Sequence, residues 1–281
     1  DVQTMGTLLE KVGVHVEQPD PNTWVLTADG MTGPITDQMT PDLFRAIRGS
    51  ILMAGPLLGR RGHFAIPAPG GDVIGRRRVD THFLAFRALG ATVEIRGNRF
   101  HVEATKLKGS DILLDEASVT GTENALMAAV LAEGTTIIRN AASEPHVQDL
   151  SHLLNAMGAR IAGIGTNTLR VDGVSELHGA DYEIGSDHIE VGSYIALAAA
   201  TGGELTIRDA VPGNLRMILQ TFRRLGIHAE VRGDDLLVPP IQDLVIMPDM
   251  GGAIPSIADA PWPAFPPDLM SIALVAATQC E

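Results

Sequence analysis

The sequence predicts an α/β fold built from one unit used several times, and three observations carry that prediction. A helix end, a glycine and a strand recur as Phe83-Leu-Ala-Phe-Arg-Ala-Leu-Gly90-Ala-Thr-Val-Glu-Ile, His152-Leu-Leu-Asn-Ala-Met-Gly158-Ala-Arg-Ile and Phe222-Arg-Arg-Leu-Gly226-Ile-His-Ala-Glu-Val, with the three glycines 68 residues apart. A second glycine marker, in Gly62-His-Phe-Ala-Ile, Gly134-Thr-Thr-Ile-Ile and Gly203-Glu-Leu-Thr-Ile, follows an apolar helical run each time and starts a strand. Each unit closes on a hairpin signal, at Gly97-Asn98, Thr166-Asn167 and Gly233-Asp234. A unit of two helices and several strands is too large for a solenoid, and right-handed crossovers favour helices packed on mixed sheets.

The elements follow in order. An earlier copy, Leu8-Leu-Glu-Lys-Val-Gly13-Val-His-Val, opens the chain. The runs Ile51-Leu-Met-Ala-Gly-Pro-Leu-Leu, Ala125-Leu-Met-Ala-Ala-Val-Leu-Ala and Tyr194-Ile-Ala-Leu-Ala-Ala-Ala are apolar nearly all round, which predicts buried helices. Asp80, Asp149 and Asn214 are the expected helix N-caps. Between Val171 and Ile189 the repeat is interrupted by glycines and acidic residues. This places the expected junction between a first domain, 1–184, and part of a second, 185–281. The Gly/Pro-rich segment Gly251 to Pro267 carries Trp262 and Phe265 and reads as an ordered loop.

The chain has 281 residues and a formal net charge of −13, which argues against nucleic acid and anionic membrane as partners. Yet ten of the eighteen arginines lie between Arg45 and Arg99, so the local basic site suits a small anionic ligand. One cysteine, Cys280, allows no intrachain disulfide, and no run approaches the roughly 20 apolar residues of a membrane span. A cytoplasmic setting is expected. The histidines show no metal-binding spacing. The first residue is Asp1 rather than Met, and both ends look cut from something longer.

The functional stretch is Pro67-Ala-Pro-Gly-Gly-Asp-Val-Ile-Gly-Arg-Arg-Arg-Val-Asp-Thr-His82. Gly70 and Gly71 permit backbone conformations closed to other residues. Asp72 sits at the tip, with Arg76, Arg77 and Arg78 close behind. Guanidinium forks match phosphate and carboxylate geometry, and successive N–H groups in such loops form anion-binding concavities. The plain alternative is a solvated surface loop with scattered charges.

That stretch, together with Ser118-Val-Thr-Gly-Thr-Glu-Asn-Ala-Leu-Met-Ala-Ala, Ala132-Glu-Gly-Thr-Thr-Ile-Ile-Arg-Asn-Ala-Ala-Ser-Glu-Pro and Pro263-Ala-Phe-Pro-Pro-Asp-Leu, resembles the enolpyruvyl transferase family, and most closely its UDP-N-acetylglucosamine branch. The resemblance runs through essentially the whole chain. It implies two similar domains of repeated βαβαββ units, an inside-out α/β barrel arrangement with the active site in the cleft between them. By that pattern this chain lacks the start of the first unit and everything after the middle of the fifth, and alone is expected to turn over poorly. The implied reaction moves the enolpyruvyl group of phosphoenolpyruvate to the 3′-hydroxyl of UDP-N-acetylglucosamine, releases phosphate and uses no cofactor or metal. In bacteria this is the first committed step of peptidoglycan synthesis.

The resemblance also implies residue roles. Asp72 stands where most members carry a cysteine that donates a proton and is alkylated by fosfomycin. A carboxyl group there must stay protonated, so burial must raise its pKa against the pull of the arginines. Arg77 matches a phosphate-contacting arginine and Arg48 an arginine of the UDP-sugar and phosphate site; the plain reading of Arg48 is an exposed helix cation. Arg78, Val79, Asp80 and Thr81 match the segment that wraps the uridine nucleotide, with Arg78 replacing a common proline. Ser118 and Val119 match a loop that binds the diphosphate at a helix N-terminus, or else Ser118 or Thr122 simply caps that helix, with Glu123 nearby. Glu116 stands where a lysine is frequent. Asp268 matches the carboxylate facing the sugar 3′-hydroxyl, as general base or orienting group, or else caps the final helix. His82 is expected to pack. Competing readings are 5-enolpyruvylshikimate-3-phosphate synthase, with the same fold and donor, and a non-catalytic UDP-sugar-binding relative.

Overall fold

The computed structural model describes residues 1–29, 41–71 and 77–281. By its internal contacts the chain divides into two units. One comprises Asp1–Ala141 and Ser151–Ala180, and the other Ala142–Leu150 and Asp181–Glu281.

The first unit begins with helix α1 (Val2–Lys11) and the hairpin β1 (His15–Asp20) and β2 (Thr23–Thr27). Helix α2 (Pro41–Arg45), a 3-10 turn at Arg48–Met53 and helix α3 (Ala54–Arg61) lead to β3 (His63–Pro67), α4 (Asp80–Ala88), β4 (Thr92–Arg96) and β5 (Arg99–Glu103). A complete copy follows: β6 (Asp111–Leu113), α5 (Val119–Ala129), β7 (Thr135–Arg139), α6 (Pro145–Ala156), β8 (Arg160–Ala162) and β9 (Thr168–Asp172). The next copy supplies α7 (His188–Thr201), β10 (Leu205–Ile207), a 3-10 turn at Pro212–Leu215, α8 (Arg216–Arg224), β11 (Glu230–Arg232) and β12 (Asp235–Val238). A 3-10 turn at Pro267–Leu269 and α9 (Met270–Ala277) end the chain.

The βαβαββ order is thus visible whole in the copy from β6 to β9. Its sheet runs β6-β7-β9-β8, with β6 and β7 parallel and the other pairs antiparallel. The copies before and after it form three-stranded antiparallel sheets, β3-β5-β4 and β10-β12-β11. The hairpins at Gly97 and Gly233 each close across two residues. Gly90, Gly158 and Gly226 take φ of 94°, 99° and 74°, values that a side chain would strain. The repeat is therefore a repeat of backbone chemistry.

Four expectations are corrected. Asp80 is the first residue of α4, with Val79 at the cap position. Its carboxylate pairs with Arg78 instead. Asp149 lies inside α6 and accepts from the Tyr182 hydroxyl at 2.9 Å and the Gly185 N–H at 3.1 Å, so it ties a loop rather than capping a helix. Asn214 falls within the 3-10 turn before α8. Helix α7 is buried on one face only: Val191, Ile195, Ala198 and Ala199 join the core, while Tyr194 and Leu197 remain 46% and 55% exposed. An all-round apolar helix carries no direction in its own sequence, so packing chose the face. Among the described residues no helix is long and apolar enough to cross a membrane, and no three His, Cys, Asp or Glu side chains are grouped to hold a metal ion.

Candidate active site

In the first unit the site is built where α4 and α5 begin. The segment 67–71 docks on the strip between α2 and the first 3-10 turn. Gly71 donates its N–H to the Arg45 carbonyl at 3.2 Å. A Cβ on Gly70 would sit 1.9 Å from that oxygen, so only glycine fits the approach. Residues 72–76, which include Asp72 and Arg76, lie outside the described residues. Where the chain continues, Arg48 reaches across. Its Nη2 donates to the carbonyls of Arg78 at 2.8 Å and Arg77 at 3.2 Å. Arg48 is half-buried and bound to backbone, which is not the state of an exposed helix cation. Burial, helped by the charge of Arg77, lowers its pKa, though a guanidinium starts so high that it stays charged.

Arg78 and Thr81 meet a residue absent from the sequence reading. The Arg78 guanidinium donates to Asp115 Oδ2 at 2.7 Å and to Asp80 Oδ2 at 3.2 Å. The buried Thr81 hydroxyl donates to Asp115 Oδ1 at 2.7 Å, with Glu116 Oε1 at 3.3 Å. The Thr81 bond first, and Arg78 second, hold the Asp115 carboxyl below its usual range. Ser118 caps α5, its Oγ accepting from the Gly121 N–H at 3.1 Å. Val119 then opens the helix, among the N–H groups that a first turn leaves without an intrahelical acceptor, which is where anions settle readily.

Beneath these helix starts lies a polar lock. His82 is 1% exposed. Its Nδ1 accepts from Asn124 Nδ2 at 2.8 Å, and Nε2 lies 3.3 Å from Thr120 Oγ1. The same Asn124 amide donates to the Ile51 carbonyl at 3.0 Å and accepts from the Gly55 N–H at 2.6 Å. Burial, with the Arg48 charge second, brings the His82 pKa down to about 4, so the ring is neutral at ordinary pH. Arg48, Arg77, Arg78, Asp80 and Thr81 are thus joined by hydrogen bonds, while Val79 is carried between them and Ser118 and Val119 follow Asp115 closely.

In the second unit Asp268 is exposed within the 3-10 turn that precedes α9, and that turn has no side-chain cap. The plain capping role is therefore not what holds it. Within the same unit the ring of buried His188 stacks 6.2 Å from His146 and meets the edge of Trp262 at 5.4 Å. Burial lowers the His188 pKa. His146 pushes the same way, and the nearby carboxylates of Asp187, Glu144 and Asp268 oppose it. Glu144 Oε2 is buried and has no hydrogen-bond partner among the described residues. Sequence reading missed Asp115, Glu144 and His188, since an acid before a capping serine or a histidine opening an apolar helix has no local signature.

The sequence model of the EPSP synthase (3-phosphoshikimate 1-carboxyvinyltransferase) family matches residues 1–279. The UDP-N-acetylglucosamine 1-carboxyvinyltransferase of Treponema denticola is 53% identical over 281 residues, 100% of this chain and 65% of its own length. That of Bradyrhizobium diazoefficiens is 54% identical over all of this chain and 64% of its own length. The chain thus spans somewhat less than two thirds of these curated relatives. Among solved structures, the enolpyruvyl transferase NikO from Streptomyces tendae aligns with a TM-score of 0.75 at 19% identity, covering 99% of this chain and 64% of that one. An EPSP synthase from Acinetobacter baumannii gives 0.67 at 18%, covering 90% and 58%. Identities that low speak to the fold alone, whereas the family match runs almost end to end, and on that match the chain belongs to the EPSP synthase family, the enolpyruvyl transferases.

Proposed function

We propose that this chain serves the transfer of the enolpyruvyl group of phosphoenolpyruvate to the 3′-hydroxyl of UDP-N-acetylglucosamine in the cytoplasm, as the committed step of peptidoglycan synthesis. The observation that carries the site is the convergence of Arg48, Arg78 and Thr81 on the openings of α4 and α5. The choice of acceptor is supported by relatives above 50% identity, named for UDP-N-acetylglucosamine, that align along the whole chain.

The sugar oxygen bonds to C2 of phosphoenolpyruvate as C3 takes a proton, giving a tetrahedral ketal. Loss of a C3 proton and departure of phosphate then restore the double bond. Asp72 is the proton donor to C3. Asp268 takes or orients the hydroxyl proton. Arg48 and Arg77 face phosphate, Arg78, Val79, Asp80 and Thr81 wrap the nucleotide, and Ser118 and Val119 receive the diphosphate. Residues 1–184 form the first domain and 185–281 part of the second.

Phosphate release by the full-length enzyme tests this reading. Release is expected with UDP-N-acetylglucosamine and not with shikimate 3-phosphate; the reverse preference would overturn the acceptor. Fosfomycin is expected to leave the enzyme active, because a carboxylate at position 72 cannot form the thioether adduct. Rapid stoichiometric inactivation would refute the role given to Asp72.

A further inference from the structure

The geometry points to Asp115 as a positioning residue of the nucleotide subsite, which holds Arg78 in the segment that wraps the nucleotide and fixes the opening of α4 to that of α5. This rests on the UDP-sugar reading above. The two segments are distant in sequence yet must present donors to one ligand. Asp115 comes from the α5 side, and both of its oxygens bond the α4 side: Oδ2 takes Arg78 at 2.7 Å and Oδ1 takes Thr81 at 2.7 Å. Thr81 is 1% exposed, so its hydroxyl is committed to this join and anchors α4. The other side is equally close. A Cβ on Gly121 would lie 3.1 Å from Thr81 Cγ2 and 3.0 Å from the Ser118 side chain, so the absence of a side chain lets the two helix starts touch. A turn in which Ser118 donates its N–H to the Glu116 carbonyl at 2.8 Å couples Asp115 to the α5 cap. Arg78 stays 39% exposed, with its guanidinium held by two carboxylates.

Charge alone predicts the opposite outcome. Asp115 is an anion beside a site for anions, so its removal should strengthen phosphate binding if position did not matter. Positioning predicts weakening, because an Arg78 held by Asp80 alone must be ordered further by each ligand.

The test uses full-length enzyme, calorimetry with UDP-N-acetylglucosamine, and steady-state kinetics. In Asp115→Asn the dissociation constant for UDP-N-acetylglucosamine is expected to rise about tenfold, as loss of a hydrogen bond to a charged group implies. kcat and the KM for phosphoenolpyruvate should stay within about twofold. Asp115→Glu should recover part of the loss. Arg78→Ala should match Asp115→Asn, and the double variant should be no worse than either. Unchanged or tighter binding in Asp115→Asn, or additive losses, would overturn the inference while leaving the acceptor reading intact. Wild-type enzyme that fails to bind the UDP-sugar would overturn both. If Asp115→Asn does not fold, Arg78→Ala decides, with unchanged affinity counting against the role.

Discussion

Two glycines mark helix contacts in the two units and meet opposite chemistry. Gly55 of α3 faces Asn124 of α5: a Cβ there would lie 2.7 Å from the Asn124 carbonyl oxygen and 2.9 Å from Oδ1. Gly192 of α7 faces the residue that precedes α9, and its Cβ would lie 2.7 Å from Leu269 Cδ1 and 3.3 Å from Ile218 Cγ2. One contact is locked by hydrogen bonds, the other filled by flexible hydrocarbon. Close packing of helices needs only the small residue; what lies opposite it is free to vary. The difference has a consequence for function. The polar lock contains His82 and Asn124, directly under the helix starts assigned to the nucleotide, so those starts inherit its rigidity and its proton chemistry.

The largest effect should come from removing the lock. Asn124→Ala leaves the Gly55 N–H and His82 Nδ1 without their partner inside a core, while the Ile51 carbonyl keeps the Ala54 N–H. Each buried orphan costs about 1–3 kcal/mol, less what water entering the small gap restores, so a loss of about 4 kcal/mol is expected in urea unfolding. A loss below about 1 kcal/mol would mean that the polar lock adds nothing beyond packing, and the contrast between the units would collapse.

Acid should open the same lock. His82 Nδ1 accepts from Asn124, and a protonated ring would set one N–H against another. The folded pKa of about 4 lies below the ordinary 6.5, so between those values the unfolded chain binds the proton and the folded chain does not. Stability from this group is therefore complete above about pH 6.5 and falls as pH drops toward 4, by about 3 kcal/mol in all. Urea melts from pH 7 to pH 4, compared with His82→Gln, isolate that share. Parallel curves for the two proteins would show that the ring is not held neutral.

The same contrast explains what the sequence could and could not disclose. Gly90, Gly158 and Gly226 announce the repeat because a positive φ is a local demand with one chemical answer. The hairpins at Gly97 and Gly233 are legible for the same reason. At the start of α5 the local sequence offers Ser118 or Thr122 as the cap, and the structure selects Ser118. Asp149 misleads because its type favours caps while its partners, Tyr182 and Gly185, lie more than thirty residues on. Asp115 is silent alone; its meaning comes from Arg78 and Thr81, brought beside it by the fold. The roles proposed for Asp72 and Asp268 rest on the family pattern alone, since spacing supplies none.

The smallest effect sharpens the comparison from the apolar side. Gly192→Ala adds a methyl against Leu269 Cδ1, the far end of a side chain with other rotamers, and against Ile218 beside it. Helix propensity favours alanine over glycine by about 1 kcal/mol. Overpacking opposes it by about 1–3 kcal/mol, and by the low end when the neighbour can swing aside. The two nearly cancel, so the net loss should stay below about 1 kcal/mol, with no dependence on pH between 7 and 4, because no titrating group joins this contact. A loss as large as that of Asn124→Ala would show that hydrocarbon at Leu269 is as rigid as the amide lock, and that the two units are held alike.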